Sequence, residues 1–346
     1  MNMQGRTMSN VADIAIVGAS SLVGDMLINV LEEHSYPFGQ VRLVDIDDEA
    51  GERRMINGQS VRVEALSTFD FASVKLAIVA GDRDVALQHI AAIRDAGALV
   101  IDTTGLLIGQ GVTVVAEVNP ATLADAVQRR VVACPDSQVL QSALVLKVLD
   151  GMSPVQRVSI ATYQSMSTHG KAAVEGLAME TGRLLNGQPI EKGGALAKQS
   201  AFNLQPCVSD LDEAGASREE RDLVAGIGEV LGLPSLPVLA NCVMVPLFYG
   251  TAQMMQVTTA EPLEAQKVIN VLRRAKGIKV LDKAEAGGYP TPVTDATGSD
   301  QVWVGRVRQD AGQPNTIHLW IVSDNLRKGV ALNSLMIADL LIKDYL

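Results

Sequence analysis

Apolar residues follow two different rhythms along this chain. In the first 140 residues, short β-branched runs alternate with helical spacings. The run ADIAIV (12–17) leads into the turn GASSLVG (18–24), and Met26, Leu27, Val30 and Leu31 then repeat as one face of a helix. A second run, QVRLVDI (40–46), ends in acid. VKLAIVA (74–80) is followed by the helical pattern VALQHIAAIRDAG (85–97), which stops at a glycine. ALVIDTT (98–104) and RRVVAC (129–134) continue the series. Strand–helix alternation of this kind predicts a doubly wound, mostly parallel sheet.

After residue 150 the rhythm shifts towards period two. VQRVSIATYQSMS (155–167), CVMVPLF (242–248), AQMMQVTTA (252–260), QVWVGRVRQ (301–309) and NTIHLWIVSD (315–324) read as strands with one polar face. Helical stretches at 171–185 and 262–275 are interspersed, and the charged DLDEAGASREERD (210–222) reads as a surface loop entering a helix. The mixture predicts an α+β domain on a mixed or antiparallel sheet. LRKGVALNSLMIADLLIKDY (326–345) predicts one long amphipathic closing helix.

Composition narrows the class. With 346 residues there is material for two domains with sizeable cores. A net charge of −10 argues against nucleic acid or an anionic membrane as the main partner. No apolar run reaches the roughly 20 residues that cross a bilayer. The start, MNMQGRTMSNVAD, lacks the apolar core of a secretory signal and reads as a short disordered lead. Three cysteines (134, 207, 242) without a CxxC fit a reducing cytoplasm, with Cys207 and Cys242 expected as buried structural thiols. Four histidines (34, 89, 169, 318) have no ligand-like spacing, so no metal is expected.

The turn between Gly18 and Gly24 has the form that aims helix N–H groups at a phosphate. Ser21 stands at the usual middle glycine, so the strict GxGxxG is absent, and a plain βα connection fits equally well. The second strand ends in VDIDDEAGERR, which crowds Asp45, Asp47, Asp48 and Glu49 together. An acid there favours a free ribose 2′-hydroxyl. Asp48 and Glu49 would repel a 2′-phosphate unless Arg53 or Arg54 turns inward. A solvated acidic turn explains the same residues.

Further on, VVACPDSQVLQSALVLKVLD (131–150) is a strand breaking directly into a helix, a favoured place for a nucleophile. Cys134 and Ser137 both stand near the break.

Several phrases occur in order: GASSLVG, EVNP (117–120), ATYQS (161–165), AFNLQP (201–206), YPTP (289–292), VWVGRVR (302–308) and SDNLRKGVALN (323–333). Together they resemble the aspartate-semialdehyde dehydrogenases from about residue 12 onward, and in particular the Usg-type paralogues that lack the family cysteine. The resemblance implies a disordered lead at 1–11, a Rossmann domain at 12–137, a substrate and dimerisation domain at 138–325, and a helix at 326–346 returning to the first domain. It implies a homodimer or tetramer, and NADP- or NAD-contacting residues at Gly18, Ser20, Ser21, Leu22, Val23, Gly24 and Asn325. The family reaction is the NADPH-dependent reductive dephosphorylation of aspartyl phosphate.

The family's chemical positions are altered here. Aligned through Pro135, the nucleophile position is Ser137, and Cys134 falls three residues early. A serine is a poor nucleophile without an adjacent base. The base position after VPLFYG is Thr251. The substrate-binding arginines become Leu107 and Met244, and the lysine of the loop helix becomes Asp222, while Gln164 and Glu220 are retained. Losing charge-assisted contacts of this kind removes affinity for a doubly anionic substrate. Three readings follow. The first is a non-catalytic dimeric scaffold that still holds a dinucleotide, its small-molecule ligand unknown. The second is a redirected acyl hydrolase in which His169, from SMSTHGK, serves Ser137. The third is an active semialdehyde dehydrogenase of amino-acid biosynthesis.

Overall fold

The computed structural model describes residues 11–110, 112–190, 196–207 and 209–346. The expected disordered lead lies, apart from Val11, outside the described residues. Contacts divide the chain into two compact units. The first takes residues up to Ala116, Pro120–Cys134 and Ala331–Leu346, and the second takes Glu117–Asn119 and Pro135–Val330. Ser137 therefore falls in the second unit and Cys134 in the first.

The first unit is α/β. Its sheet is built from β1 (Ile14–Val17), β2 (Val41–Asp45), β3 (Arg53–Ile56), β4 (Gln59–Ala65), β5 (Leu76–Val79), β6 (Leu99–Asp102) and β7 (Val131–Ala133). The spatial order is β3-β4-β2-β1-β5-β6-β7, parallel throughout except for the β3–β4 pair. Helices α1 (Leu22–Glu33), α2 (Arg83–Asp95), α3 (Leu123–Arg129) and the C-terminal α8 (Asn333–Asp344) belong to the same unit. Both sheet faces are covered, which is why the strands read as continuous apolar runs. Ile14 and Ile16 pack with Leu27 and Leu31 of α1 and with Leu335 and Leu341 of α8. Ala15 and Val17 turn the other way, towards Ala86, Ile90 and Ile93 of α2.

Two features depart from the sequence reading. The β3–β4 hairpin was not anticipated, although its turn is Asn57-Gly58 with φ of 50° and 74°, the left-handed pair that a tight hairpin requires. The closing helix also begins later than expected. Arg327–Leu332 forms a wide π-helical turn before α8 starts at Asn333. The Asn333 amide then ties this helix to the edge of its own unit, accepting from the Ala116 N–H at 2.9 Å and donating to the Val114 carbonyl at 3.1 Å.

The second unit is α+β on a mixed sheet. Its strands are β8 (Val155–Gln164), β9 (Val238–Met244), β10 (Thr251–Thr259), β11 (Ile278–Val280), β12 (Val302–Gln309) and β13 (Thr316–Ser323), in the order β11-β12-β13-β10-β8-β9. Its helices are α4 (Ser137–Met152), α5 (Gly170–Leu185), α6 (Arg218–Leu231) and α7 (Ala265–Leu272). Helix α4 packs on β8, β10 and β13, and α7 on β12. Strand β9 ends at Met244 rather than continuing to residue 248, since Pro246 cannot donate to a ladder.

Among the described residues no helix is long and apolar enough to cross a membrane, and no group of three His, Cys, Asp or Glu could hold a metal ion.

A side-chain carbon on Gly18 (φ +78°) would stand 2.2 Å from the Ala80 carbonyl oxygen, whereas one on Gly58 (φ +74°) meets nothing within 4 Å. Both alanine substitutions strain the backbone by about 1 kcal/mol. Gly18→Ala also forces two loops apart. We expect Gly18→Ala to cost at least about twice as much as Gly58→Ala in denaturant unfolding. Equal losses would show that the β1–α1 turn yields freely.

Candidate functional site

The glycine turn of the first unit is held from below by an acid. The Ser20 N–H donates to Asp45 Oδ2 at 2.7 Å and the Ile46 N–H to Asp45 Oδ1 at 2.8 Å, so the buried Asp45 at the end of β2 is the carboxylate that touches the turn. Ser21, at the usual middle glycine, is the N-cap of α1. Its Oγ accepts from the Gly24 N–H at 3.0 Å and donates to the Gly18 carbonyl at 2.7 Å. Leu22 and Val23 form the first turn of α1 and are half-buried. Ser20 Oγ is buried and has no hydrogen-bond partner. A turn that admits no Cβ at Gly18 or Gly24, with an unused buried hydroxyl beside a helix N-terminus, fits a pyrophosphate.

The other acids lie further out. Asp48 and Glu49 sit on the short 3-10 turn Asp47–Glu49, where no residue is buried. Arg53 turns to Ser60, at 2.8 Å. Arg54 turns to Glu52 at 3.0 Å and, more distantly, to Asp25 of α1 at 3.9 Å. Neither arginine lies bare.

Leu107 is a backbone donor to the buried Asp102 at 3.0 Å, and its side chain packs with Leu106 on the α2 side of the sheet. Burial pushes the Asp102 carboxyl up, against the pull of Thr104 and the Leu107 N–H. The stretch DTTGLLIGQ (102–110) contains no cation.

In the second unit, Asp136 caps α4 by accepting from the Gln138 and Val139 N–H groups, each at 3.0 Å. Ser137 is the first helical residue and is 3% exposed. Its outer side is covered by Gly329, where any side-chain carbon would stand 2.4 Å from Ser137 Cβ. The next residue fills the site. Gln138 Nε2 donates to Thr251 Oγ1 at 2.7 Å, while Gln138 Oε1 accepts from Gln253 Nε2 at 3.1 Å and from Gln141 Nε2 at 3.2 Å. Ser142 Oγ reaches Gln253 Oε1 at 2.8 Å, and Ser323 Oγ donates to Gln141 Oε1 at 2.8 Å. Gln138, Gln141 and Ser142 stand at i, i+3 and i+4, so one face of α4 carries all three onto β10 and β13. Every member of this network is buried.

Gln164 lies opposite Thr251 in the ladder, buried, with its amide on Thr162 Oγ1 at 3.2 Å. The structure thus gathers Ser137, Gln138 and Thr251 at the start of α4, with Gln164 one strand away. Met244 is sealed in an apolar patch with Met166, Leu177 and Cys242. Glu220 closes the capping box of α6 with Ser217 and accepts from the Cys242 N–H at 3.0 Å. Asn325 accepts from the Gly250 N–H at 2.9 Å and donates to Ser167 Oγ at 2.9 Å, bracing two turns of its own unit.

Electrostatically the surroundings are acidic. Burial, followed by the charges of Asp222 and Glu219, pushes the Asp136 carboxyl up to about 6. Burial, then Asp136, Glu220 and Glu219, pushes the Cys242 thiol up to about 12.

His169 takes a different place. Its ring Nδ1 lies 3.2 Å from Thr168 Oγ1, and it lines a cavity of about 730 Å³ with Lys198, Cys207 and Arg218. Ser137 is not among the residues lining that cavity. Cys207 corrects an expectation: it is exposed, as is Pro206 before it, and its thiol faces the Ser209 carbonyl at 2.9 Å. Cys242 is buried, as is Cys134, whose sulfur accepts from Asn333 and Ser334 at the start of α8. The amide network was missed by sequence reasoning. Its signal was three polar residues at helical spacing inside the otherwise apolar α4.

The chain matches two family descriptions: "Semialdehyde dehydrogenase, NAD binding domain" over residues 13–126 and "Semialdehyde dehydrogenase, dimerisation domain" over residues 146–328. It is 35% identical over 340 residues to aspartate-semialdehyde dehydrogenase 2 of Vibrio cholerae, covering 98% of this chain and 100% of that one. At 37% over 337 residues it is similar to a USG-1 protein homolog of Azotobacter vinelandii, covering 97% of this chain and 99% of that one. Among solved structures, aspartate semialdehyde dehydrogenase II of Vibrio cholerae complexed with ASA superposes with a TM-score of 0.94 at 35% identity, covering 98% of this chain and all of that one. On these matches and this fold, the chain belongs to the semialdehyde dehydrogenase family.

Proposed function

We propose that this chain is a family member that has given up reductive dephosphorylation of aspartyl phosphate and persists as a self-associating, dinucleotide-holding scaffold. The observation that carries this reading is the Gln138–Thr251 hydrogen bond at 2.7 Å. It joins the residue beside the nucleophile position to the base position, and both groups are neutral. Neither of these two takes a proton near neutral pH, the Ser137 Oγ accepts from Gln138 Nε2 at 3.4 Å, and Ser137 is covered by Gly329. The acyl phosphate would also meet Asp136, Glu219 and Asp222 where it needs cations. Relatives named as aspartate-semialdehyde dehydrogenases and as USG-1 homologs stand at similar identity, so overall likeness does not separate them.

The cofactor reading follows from the first unit. The Gly18–Gly24 turn and the α1 N-terminus would hold the pyrophosphate, with Ser20 Oγ free to donate to it. Bound there, a nicotinamide supplies hydride exchange. Asp45, Asp48 and Glu49 favour an unphosphorylated ribose, and Arg54 is already engaged by Glu52 and Asp25. The Ser137–His169 hydrolase has no geometric observation in its favour.

Three measurements test these points. Purified protein should show no phosphate-dependent NADP reduction with aspartate semialdehyde; turnover that disappears in Ser137→Ala would overturn the scaffold reading. In thermal shift, NAD should stabilise the protein more than NADP at equal concentration, and the reverse order would contradict the role given to the acids. The third concerns Asp136. Its folded pKa, about 6, lies above the unfolded value, so its contribution is fully present below the unfolded pKa and is lost as pH rises through 6. Asn still caps a helix but carries no charge. Asp136→Asn should therefore stabilise at pH 8 by about 2 kcal/mol, by roughly half of that at pH 5, and hardly at all near pH 3. A gain independent of pH would mean that the charge is not what destabilises.

A further inference from the structure

Residues 196–207 and the first residue of α6 border a cavity that the amide network at α4 does not use. Its volume, about 730 Å³, falls within the range of small-molecule sites, about 300–1,000 Å³. The wall is pinned from two sides. The Ser200 and Ala201 N–H groups donate to Glu180 Oε2 of α5 at 2.7 and 2.9 Å, and Gln205 exchanges two backbone hydrogen bonds with Met244 of β9. Cys207 follows two residues later. It is exposed and lines the cavity together with Lys198, Asp210, Arg218 and the half-buried His169.

The charges favour an anion. Lys198 and Arg218 stand against Asp210 on this wall, in a chain of net charge −10. Lys198 is exposed, and its ammonium makes no ion pair among the described residues. Arg218 gives Nη2 to Glu219 at 2.7 Å, while its Nε and Nη1 make no hydrogen bond among the described residues. A carboxylate entering the cavity would find charged donors that nothing else has taken. The thiols differ just as clearly. Cys134 and Cys242 are buried, and burial above all pushes the Cys242 thiol up to about 12. Neither lines the cavity, so an adduct formed on Cys207 has no second thiol beside it to displace it.

We propose that this cavity takes a small disulfide bearing carboxylates, and that Cys207 exchanges with it to form a mixed disulfide. The Cys207 thiol gives its proton to water and attacks one sulfur as the thiolate. A new S–S bond forms as the old one breaks, and the departing thiolate leaves with the electron pair. The incoming disulfide is itself the oxidant, so no further reagent enters. Lys198 and Arg218 hold its carboxylates while the exchange takes place. The site stands apart from the scaffold reading, since neither Ser137 nor the glycine turn takes part.

Thiol kinetics on the whole chain test the proposal. Dithiobis(nitrobenzoate), a dianionic aromatic disulfide, should release one equivalent of thionitrobenzoate from the folded protein. The unfolded chain, with its three cysteines, should release three. Cys207→Ser should remove the folded-state equivalent. The second readout is the rate with this reagent divided by the rate with neutral dithiodipyridine, a ratio that cancels changes in the thiol itself. Lys198→Gln and Arg218→Gln should each lower the ratio by about 3- to 5-fold, while Lys198→Arg keeps it. Unchanged far-UV circular dichroism guards against a folding defect in any variant. If the folded protein releases nothing, or if Cys207→Ser leaves the release intact, the exchange falls. If Cys207 reacts but neither glutamine variant moves the ratio, the thiol is an ordinary surface group and the cavity is not its binding site, which also overturns the proposal.

Discussion

The second unit is organised around one helix N-terminus that lies against a sheet and must satisfy its polar groups there. Helix α4 enters directly beneath β10, so whatever follows Pro135 is buried. A buried donor left unpaired costs about 1–3 kcal/mol, and this entry presents an acid, a serine and two glutamines within six residues. The solution is closed. Asp136 takes the first free N–H groups, and Gln138 reaches across to Thr251. Gln141, Gln253, Ser142 and Ser323 complete the circuit. A circuit in which every member is paired rigidifies and specifies one arrangement. Apart from Asp136, every side chain in it is a neutral amide or hydroxyl.

The charge of the neighbourhood points the same way. Burial alone raises a carboxyl, and Asp222 and Glu219 raise Asp136 further. The same field holds Cys242 protonated. A thiolate, an oxyanion or a phosphate would each face that field at close range, where two unit charges interact by about 4 kcal/mol at an intermediate dielectric. A cysteine placed at Ser137 would face the same field, which disfavours its charged form.

Much of the architecture was legible because its signals are local. The runs at 12–17, 74–80 and 98–104 are continuous and apolar because both faces of their sheet are covered, and 252–260 and 315–324 alternate because theirs differ. The β3–β4 hairpin was equally local, in Asn57-Gly58, and was passed over because its strands are polar and mostly exposed. The lateness of α8 was not local. It follows from Asn333, whose amide meets residues more than 200 positions away. At the site, the phrases pointed to Ser137 and Thr251, and the structure brings both against Gln138. The contact that joins them was not legible, since the Gln138–Thr251 bond spans 113 residues. Cys207 shows a similar limit: a thiol between Pro206 and a polar stretch gives no periodic cue to its burial.

Four of the phrases that carry the family resemblance hold the fold. Glu117 of EVNP forms a buried ion pair with Lys328 of SDNLRKGVALN, and removing either partner of such a pair costs about 3–5 kcal/mol. Asn325 of the same phrase braces Gly250 and Ser167, and Asn333 anchors α8. Gln205 of AFNLQP exchanges two backbone bonds with Met244, and Pro290 of YPTP receives the Trp320 indole. These residues would be needed with or without catalysis. Retention of the phrases therefore accounts for a TM-score of 0.94 against a dehydrogenase without requiring that the chain act as one. Family membership rests on residues that make the scaffold, and overall likeness to a dehydrogenase therefore says little about activity, which depends on a handful of other residues.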